Sequence, residues 1–436
     1  MQFSIHIIKE ENFVPLAKKA AGSMLSIAVY FPDKNAARLS KRFYVTCVKE
    51  SQELEDFLDD HGAQSNKTWV YFRELVASIR NFSSTAYMVS HMLSRINFYC
   101  LDTRSTQSFR RDAAAVLEFL HTSLTILCAH LTAEAERLGL IDTPVVLDEN
   151  SFDESIVTQV LPHNINDERG SDIEEKVARV ATELILAHDK SQSVLFEKKL
   201  SARNLCSTII PDRINEETLR DLEAHVHNAQ SIYDTYIQKT PFEAENPNLI
   251  SLRGHISVAL HLLGVAKELS HFCERHEMGV RKELTRKKIG KINQRMKLLD
   301  VIVNFALHYY TIFINDGKNL ANEIQNSFTV VESVSVSVPE GLGFHLRPST
   351  LVAKIANHYG SRMTMMVNGK EFDAASVIDI MWAGGMIKKE GITTIEYRGD
   401  KNAIRDIVLL AGANYGEDTM GTSTPLPPAL SYLRQD

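Results

Sequence analysis

The sequence predicts a multidomain protein in which a large all-α domain of long helical hairpins is followed by a small α+β domain. Apolar side chains recur every three or four residues over most of residues 61–326, and the long helical segments there contain almost no Gly or Pro. Near residue 330 the period changes to strict alternation, which is typical of a half-buried strand. Elements in the order βαββαβα then fill residues 330–416, so the 436-residue chain accommodates at least two domains.

Residues 1–60 are open to two interpretations, because their apolar runs at 25–31 and 43–48 fit a strand or a short buried helix equally well. The helical pattern is clear from residue 68 onwards, where nine apolar side chains lie on one helical stripe. These side chains are Trp69, Phe72, Val76, Ile79, Phe82, Ala86, Val89, Leu93 and Ile96. A second long helix is predicted at about 105–138, followed by an acidic, Pro-containing loop at about 141–170.

Further helices complete the predicted helical domain. Ser171 and Glu174 follow the capping-box pattern, which predicts a helix start. Two more long helices are predicted at about 248–276 and 280–326. Long helices joined by short connections favour a bundle of antiparallel hairpins, and such helices also make good surfaces for self-association. The sequence therefore allows a homo-oligomer formed through this domain.

The C-terminal unit begins with a strand that places Val334, Val336 and Val338 on one face. Further predicted landmarks are a helix beginning at Pro348, a type I′ turn at Asn368-Gly369, a helix from Ser376 to Gly384, a strand at 392–397 and a final helix from Asp400. The predicted inner face of the final helix consists of Ile404, Ile407, Val408 and Ala411. Residues 417–436 contain three prolines and are predicted to be a flexible tail.

Composition excludes several classes of protein. A net charge of −7 gives no reason to expect nucleic-acid binding. The five cysteines are scattered and odd in number, which favours a reducing cytoplasm over a disulfide framework. The longest uncharged apolar stretch, 301–315, is shorter than the roughly 18 to 20 residues of a membrane span. The sequence therefore predicts a soluble, cytoplasmic protein without membrane insertion.

No cofactor and no metal are predicted. The sequence has no Walker A loop, no dinucleotide-binding fingerprint and no Gly-x-Ser-x-Gly elbow. His271, Cys273 and His276 lie close together in the chain, but their spacing of two and three residues does not put all three on one helix face. Histidines and cysteines of these long helices are therefore interpreted as core or interface residues.

His345 is the strongest candidate for chemistry. It lies where a predicted strand gives way to a helix, so backbone N–H groups and the positive end of the helix dipole face its ring. Arg347 could bind phosphate oxygens through its forked guanidinium, and a neutral imidazole nitrogen is a nucleophile at cellular pH. The alternative is a histidine that only caps a helix. Judged from these residues by themselves, the two interpretations are about equally supported.

The residues around His345 carry a family resemblance. The stretch Leu342-Gly-Phe-His345-Leu-Arg347-Pro348 resembles the active-site signature of HPr, the histidine phosphocarrier of the phosphoenolpyruvate phosphotransferase system, and the element order over 330–416 is similar to that family's open-faced β-sandwich. The resemblance implies that His345 accepts a phosphoryl group from enzyme I and passes it on. It also implies that Arg347 pairs with the phosphate and that Pro348 fixes the turn at the helix start.

The same resemblance implies a surface that binds partner proteins. Val377, Ile378 and Met381 correspond to the apolar patch of the second helix, and Lys354 lies where the family often has a lysine. Ser376 corresponds to a serine that is phosphorylated for regulation in some HPr proteins. For Ser376 we favour a plain helix N-cap over such a regulatory site.

Departures from the family pattern separate two functional hypotheses. Leu346 replaces a small residue beside His345, and Asp379 adds a negative charge to the docking helix. The Leu-Gly-Phe-His order is more similar to nitrogen-branch phosphocarriers, so a regulatory phosphocarrier is favoured over a sugar carrier. The alternative is a scaffold or dimerisation protein that uses the HPr-like unit only for docking. Exposure of His345 and Arg347 on one open surface would favour the phosphocarrier.

Overall fold

The computed structural model describes residues 7–33, 39–141, 152, 173–206, 214–277, 295–328, 331–359 and 362–434. Most of the predicted loop at 141–170 and the capping box at Ser171 lie outside these residues. The chain divides into two compact units. The first comprises residues 1–164, 186–230 and 243–317, and the second comprises residues 165–185, 231–242 and 318–436.

In the described part of the chain up to residue 328, the regular elements are all helices. In chain order, the helices are α1 Glu10–Tyr30, α2 Lys41–Asp60, α3 Val70–Arg95, α4 Thr103–Arg137, α5 Ile173–Lys190, α6 Ala202–Cys206, α7 Glu216–Tyr236, α8 Pro241–Glu245, α9 Pro247–Phe272, α10 Arg295–Asp300 and α11 His308–Phe328. π-helical turns follow α9 and join α10 to α11. Of the two apolar runs within residues 1–60 that fit either a strand or a helix, 43–48 lies in α2, and 25–31 lies in α1 except for Phe31, which begins a 3₁₀ helix.

Helix α3 is the central helix of the first unit. The predicted stripe is buried along almost its whole length, and α3 packs against α2, α4 and α9. Side chains cap the neighbouring helices, because Ser40 accepts a hydrogen bond from the Phe43 N–H at the start of α2 and Asp102 accepts one from Ser105 at the start of α4. Because its side chains are buried, the predicted stripe of α3 is confirmed as a core surface.

Three described helical stretches are long and apolar enough to cross a membrane, judged by length and composition alone: Thr103–Arg137, Pro247–Arg275 and Arg295–Gln325. The last contains the stretch 301–315, which is too short on its own but continues into a longer helix. The apolar windows of the second and third stretches are 72% and 78% buried inside the protein. Most of their apolar surface is thus already covered by protein, while the absence of membrane insertion stays a prediction.

Burial of His255 on α9 makes the stability of the first unit sensitive to acid. Its side chain is nearly inaccessible and lies beside Phe313, and burial lowers the pKa of His255 from 6.5 to about 4. The unfolded chain therefore binds a proton at a higher pH than the folded chain. This contribution to stability is complete above about pH 6.5 and is lost as the pH falls towards about 4.

We therefore expect acidification from about pH 7.5 to about pH 5 to remove about 2 kcal/mol of unfolding free energy through His255 alone. Urea unfolding, followed by the fluorescence of the buried Trp69, measures the loss. In His255→Gln the loss should be smaller by that amount. An identical loss in the variant and the wild type would contradict this assignment.

The second unit contains the only sheet in the described residues, with four antiparallel strands in the order β1-β4-β2-β3. The strands are β1 Val331–Ser337, β2 Thr364–Val367, β3 Lys370–Asp373 and β4 Thr394–Asp400, and the helices are α12 Leu346–Tyr359, α13 Val377–Glu390 and α14 Lys401–Gly412. The element order is the predicted βαββαβα. Asn368 and Gly369 both have positive φ, 48° and 75°, as a type I′ turn requires.

Two details of these helices differ from the prediction. Helix α13 does not end at Gly384 but continues to Glu390, where Gly391 adopts the left-handed conformation with φ 65°. On α14, Ile404 and Ile407 are buried as predicted, whereas Val408 is 43% exposed. The α14 face that packs on the sheet uses Ala403 and Leu410 instead, and it is therefore rotated relative to the predicted face.

The segment after α14 also differs from the expected flexible tail. We call residues 414–434 the C-terminal strap. Its Leu430 and Leu433 are buried in the same core cluster as the sheet and helices, and the Tyr432 hydroxyl donates to Asp406 Oδ2 at 2.8 Å. Two buried leucines provide the apolar burial that a mobile tail lacks.

Candidate active site

His345 lies in the connection between β1 and α12, immediately before the first residue of α12. Gly341 and Gly343 have φ values of 84° and 72°, so this connection uses left-handed backbone that glycine adopts readily. The His345 N–H donates to the Gly343 carbonyl at 2.9 Å, and the His345 carbonyl accepts from the Ser349 N–H at 3.2 Å. The backbone therefore holds His345 at the positive end of the α12 dipole.

A buried carboxylate contacts the ring of His345. His345 Nε2 lies 2.8 Å from Glu417 Oε2, and the Glu417 side chain is 3% exposed while that of His345 is 35% exposed. An ionised carboxylate only accepts hydrogen bonds, so a hydrogen bond from the ring to such a carboxylate requires the proton on Nε2. Among the described residues nothing is hydrogen-bonded to Nδ1, so the hydrogen bond to the protein uses one ring nitrogen and leaves the other unbonded.

Arg347 lies beside the same carboxylate. Its Nε is 4.0 Å from Glu417 Oε1, its guanidinium donates to the Ser423 hydroxyl, and its side chain is 43% exposed. The described structure thus brings His345 and Arg347 together around Glu417, with parts of both side chains open to solvent. A planar guanidinium next to an accessible imidazole nitrogen is a suitable arrangement for binding phosphoryl oxygens.

Local backbone geometry explains how Glu417 reaches this position. The chain turns sharply after α14, where Asn414, Tyr415 and Gly416 all have positive φ. The Asn414 side chain accepts from the Glu340 N–H at 2.8 Å and donates to the Glu417 carbonyl at 3.0 Å, which ties the C-terminal strap to the connection that carries His345.

The strap is also anchored through aromatic side chains. Tyr415 packs edge-on against Phe344, the residue before His345, and donates to the Ser337 carbonyl at 3.0 Å. Burial and the Asp406 carboxylate raise the pKa of Tyr432, so its hydroxyl stays a hydrogen-bond donor at neutral pH. The strap is therefore held on both sides of Glu417.

Close packing between α13 and the His345 connection occurs at Gly384. A Cβ atom at this position would lie 2.7 Å from both the Cβ and the carbonyl oxygen of Phe344. Only glycine allows the helix to pass so near. Gly384 is thus a close-approach position that helps to place the residue before His345.

The other site residues expected from the sequence occupy varied surroundings. Pro348 is buried in the first turn of α12, and the Lys354 ammonium donates to the Leu433 carbonyl at 3.2 Å. On α13, Val377 is partly buried against the core, while Ile378 is 68% exposed and Met381 is 40% exposed. The most exposed large apolar side chain of this helix is Trp382, at 76%, and the sequence prediction did not include it.

Ser376 is the N-cap of α13, and its side chain accepts a hydrogen bond from the Asp379 N–H at 3.3 Å. This confirms the predicted capping role. In the helical region, His271 Nδ1 lies 2.7 Å from Glu216, Cys273 is buried, and the side chain of His276 lies outside the described residues. No group of three or more possible metal ligands was found among the residues that the structure describes.

Glu417 is the site residue that sequence reasoning missed. It follows the last predicted element, in a segment whose prolines indicated a flexible tail, and no motif marks it. The one available signal was the pair Leu430 and Leu433, whose spacing on a helical turn would have suggested that the segment packs against the domain.

Comparison with known proteins identifies the region around this site. Residues 332–410 match the family model described as the PTS HPr component phosphorylation site, so the HPr resemblance of the C-terminal region is confirmed. The N-terminal region matches no family model. No curated protein and no solved structure matches the chain.

Proposed function

We propose that residues 330–416 form an open-faced β-sandwich of the HPr type that follows a helical domain at 61–326 and acts as a regulatory phosphocarrier of the phosphotransferase system. His345 accepts a phosphoryl group from the phosphohistidine of enzyme I and relays it to a downstream protein. The observation that supports this most directly is the partly exposed His345 side chain at the start of α12, with Nδ1 unbonded among the described residues and Arg347 beside the same carboxylate.

The transfer step exchanges one nitrogen–phosphorus bond for another. The lone pair of His345 Nδ1 attacks the phosphorus atom, and the bond between phosphorus and the donor histidine breaks, returning its electron pair to the donor ring. Arg347 leaves Ser423 and pairs with the phosphoryl oxygens. The positive end of α12 stabilises the same oxygens. No cofactor takes part in this scheme.

Partner proteins would bind the exposed face of α13. Ile378, Met381 and Trp382 present large apolar side chains to solvent, which is unusual for a surface helix without a partner. An HPr domain implies interaction with phosphotransferase-system proteins in general. In this proposal enzyme I and the downstream acceptor use this surface in turn, in the cytoplasm, with Lys354 and Val377 at its margin.

The partial exposure of both His345 and Arg347 favours the phosphocarrier over a scaffold that only docks partners. A scaffold has no need for a partly exposed imidazole beside a partly exposed guanidinium group. The helical domain could then transmit the phosphorylation state to a further partner, or pair two copies of the chain.

We expect purified enzyme I and phosphoenolpyruvate to add one acid-labile phosphoryl group to the full chain, detected by intact mass in mildly alkaline buffer. His345→Ala should abolish the adduct, because the accepting nitrogen is removed. His358→Gln is the matched control, since residues 332–410 contain only these two histidines.

The control variant should be phosphorylated like the wild type. An adduct that persists in His345→Ala would place the phosphoryl group elsewhere and contradict the proposal. No adduct on the folded wild type, with an enzyme I that phosphorylates its own HPr in the same reaction, would favour the scaffold hypothesis.

A further inference from the structure

We propose that Glu417 is a positioning residue for His345, which keeps the Nε2 proton in place, leaves the lone pair on Nδ1 and balances the positive charge that the ring acquires during phosphoryl transfer. This inference rests on the proposed function and adds a residue from the C-terminal strap, outside the matched residues 332–410.

The burial of Glu417 is the first observation behind this role. Its side chain is 3% exposed, and a carboxylate removed from water is costly unless it is paired and hydrogen-bonded. In the described structure its direct hydrogen bond goes to His345 Nε2 at 2.8 Å, and its other oxygen has only Arg347 Nε at 4.0 Å. The buried charge is therefore oriented towards the imidazole ring.

The second observation is the number of contacts that hold this carboxylate in place. The backbone of Glu417 pairs with Ser423, and the Asp418 side chain accepts hydrogen bonds from the Met420 and Thr422 N–H groups at 2.9 and 2.7 Å. Asn414 binds the Glu417 carbonyl. A carboxylate in a fixed turn can hold the ring in one orientation, as carboxylates that hydrogen-bond to metal-binding histidines do.

The charge balance of the transfer step explains what the carboxylate contributes. When the Nδ1 lone pair forms the bond to phosphorus, the ring still carries its Nε2 proton and becomes cationic. The negative charge of Glu417 stabilises this cation, while the electron pair of the broken bond returns to the donor histidine. The proton stays on Nε2 and is hydrogen-bonded to Glu417, as in hydrolytic triads, where the carboxylate orients the imidazole and is not protonated.

The first test measures which ring nitrogen carries the proton. In ¹⁵N-histidine-labelled full chain without phosphorylation, the His345 signals, assigned by their loss in His345→Ala, should show a protonated Nε2 and a bare Nδ1. Glu417→Gln should show a mixture of both tautomers, because the amide oxygen can accept from a protonated Nε2 and the amide NH₂ can donate to a bare Nε2. Glu340→Gln removes one charge from an exposed side chain of the same connection and should leave the wild-type tautomer unchanged.

The second test measures the rate of phosphorylation by enzyme I. Loss of the carboxylate that orients a metal-binding histidine typically lowers activity 10- to 100-fold. We expect Glu417→Gln to slow phosphorylation by about the same factor, and Glu340→Gln to leave the rate unchanged. A protonated Nδ1 in the wild type would overturn the proposal, and this result needs neither a folded Glu417→Gln variant nor phosphorylation. An unchanged rate in a folded Glu417→Gln variant would also overturn it.

The two proposals fail in distinguishable ways. The wild type could remain unphosphorylated while its Nε2 is protonated and the tautomer changes in Glu417→Gln. In that case Glu417 orients the ring, and the proposed carrier function is wrong. If the wild type is phosphorylated at His345 but the tautomer and the rate do not respond to Glu417→Gln, the carrier function stands and the role of Glu417 is wrong.

Discussion

Gly384→Ala should displace the connection that carries His345 and slow its phosphorylation, whereas Gly385→Ala should do neither. An added Cβ at Gly384 would lie 2.7 Å from two atoms of Phe344, one of them a backbone carbonyl oxygen, so the clash cannot be relieved by a side-chain rotation. Gly385 is exposed and has no atom within 4 Å of the same position. The two substitutions make the same chemical change one residue apart on α13.

The free energy of unfolding should fall in Gly384→Ala, whereas in Gly385→Ala it should stay unchanged or rise. Alanine in a helix interior is more favourable than glycine by up to about 1 kcal/mol, so Gly385→Ala should be neutral or stabilising. At Gly384 the same gain is opposed by overpacking, which costs about 1 to 3 kcal/mol. Urea unfolding and the phosphorylation rate measure both effects.

Because Phe344 precedes His345 and packs on Tyr415, a shift at Gly384 should also disturb the contact between His345 and Glu417. We therefore expect the phosphorylation rate of Gly384→Ala to fall by about tenfold or more, which is the lower end of the effect expected when the carboxylate that orients a histidine is lost. Equal rates and equal stabilities for the two alanine variants would contradict the view that Gly384 serves close packing.

Local features of the C-terminal domain could be predicted from the sequence because each depends on neighbouring residues. The alternation of Val334, Val336 and Val338 is a direct consequence of strand geometry, and all three pack against the core. The Asn368-Gly369 turn needs two residues that tolerate positive φ, and few other pairs do. Asp400 caps α14 through the Asn402 and Ala403 N–H groups.

The errors arose where one residue type has two structural uses. Glycine often ends a helix, and on that basis α13 was predicted to stop at Gly384. The same residue also permits close approach between elements, and only the position of Phe344 reveals that use.

Val408 was assigned to the inner face of α14 by periodicity alone, although the sheet contacts a face rotated towards Ala403 and Leu410.

Buried charges were the other features that the patterns could not reveal. Arg73 on α3 is almost inaccessible and binds Glu55 of α2 at 2.8 Å, yet hydrophobic patterns assign both residues to solvent. Glu417 is the same case in the candidate site. Each depends on a partner far away in the chain, and periodicity carries information only about residues within one element.

Leu430→Ala should release the C-terminal strap from the domain and, with it, Glu417 from His345. Leu430 is fully buried in the core cluster, and truncation of a buried leucine to alanine costs about 2 to 5 kcal/mol. Tyr415, Tyr432 and Leu433 also hold the strap, whereas the strands of the sheet lose no contact of their own ladder in this variant. The loss should therefore appear mostly as local opening of residues 414–434.

Hydrogen exchange of individual amides measures this opening. A cost of about 2 to 5 kcal/mol corresponds to roughly a 30-fold or greater increase in the open population, since about 1.4 kcal/mol is a factor of ten. The Thr424 and Leu430 N–H groups, which bind the Gly416 and Pro427 carbonyls, should exchange faster by at least about this factor. Tyr397 in the sheet should be affected much less.

Met420→Ala is the matched control, because Met420 belongs to the same strap and is 83% exposed, so its truncation should leave exchange and phosphorylation unchanged. In Leu430→Ala the His345 ring should lose its fixed tautomer even though Glu417 is still present, because the carboxylate depends on the docked strap for its position. Equal acceleration of exchange at Tyr397 and Thr424 would instead mean that strap and sheet unfold together. In that case the strap would be a part of the domain core, and the orientation of His345 would depend on the stability of the whole domain.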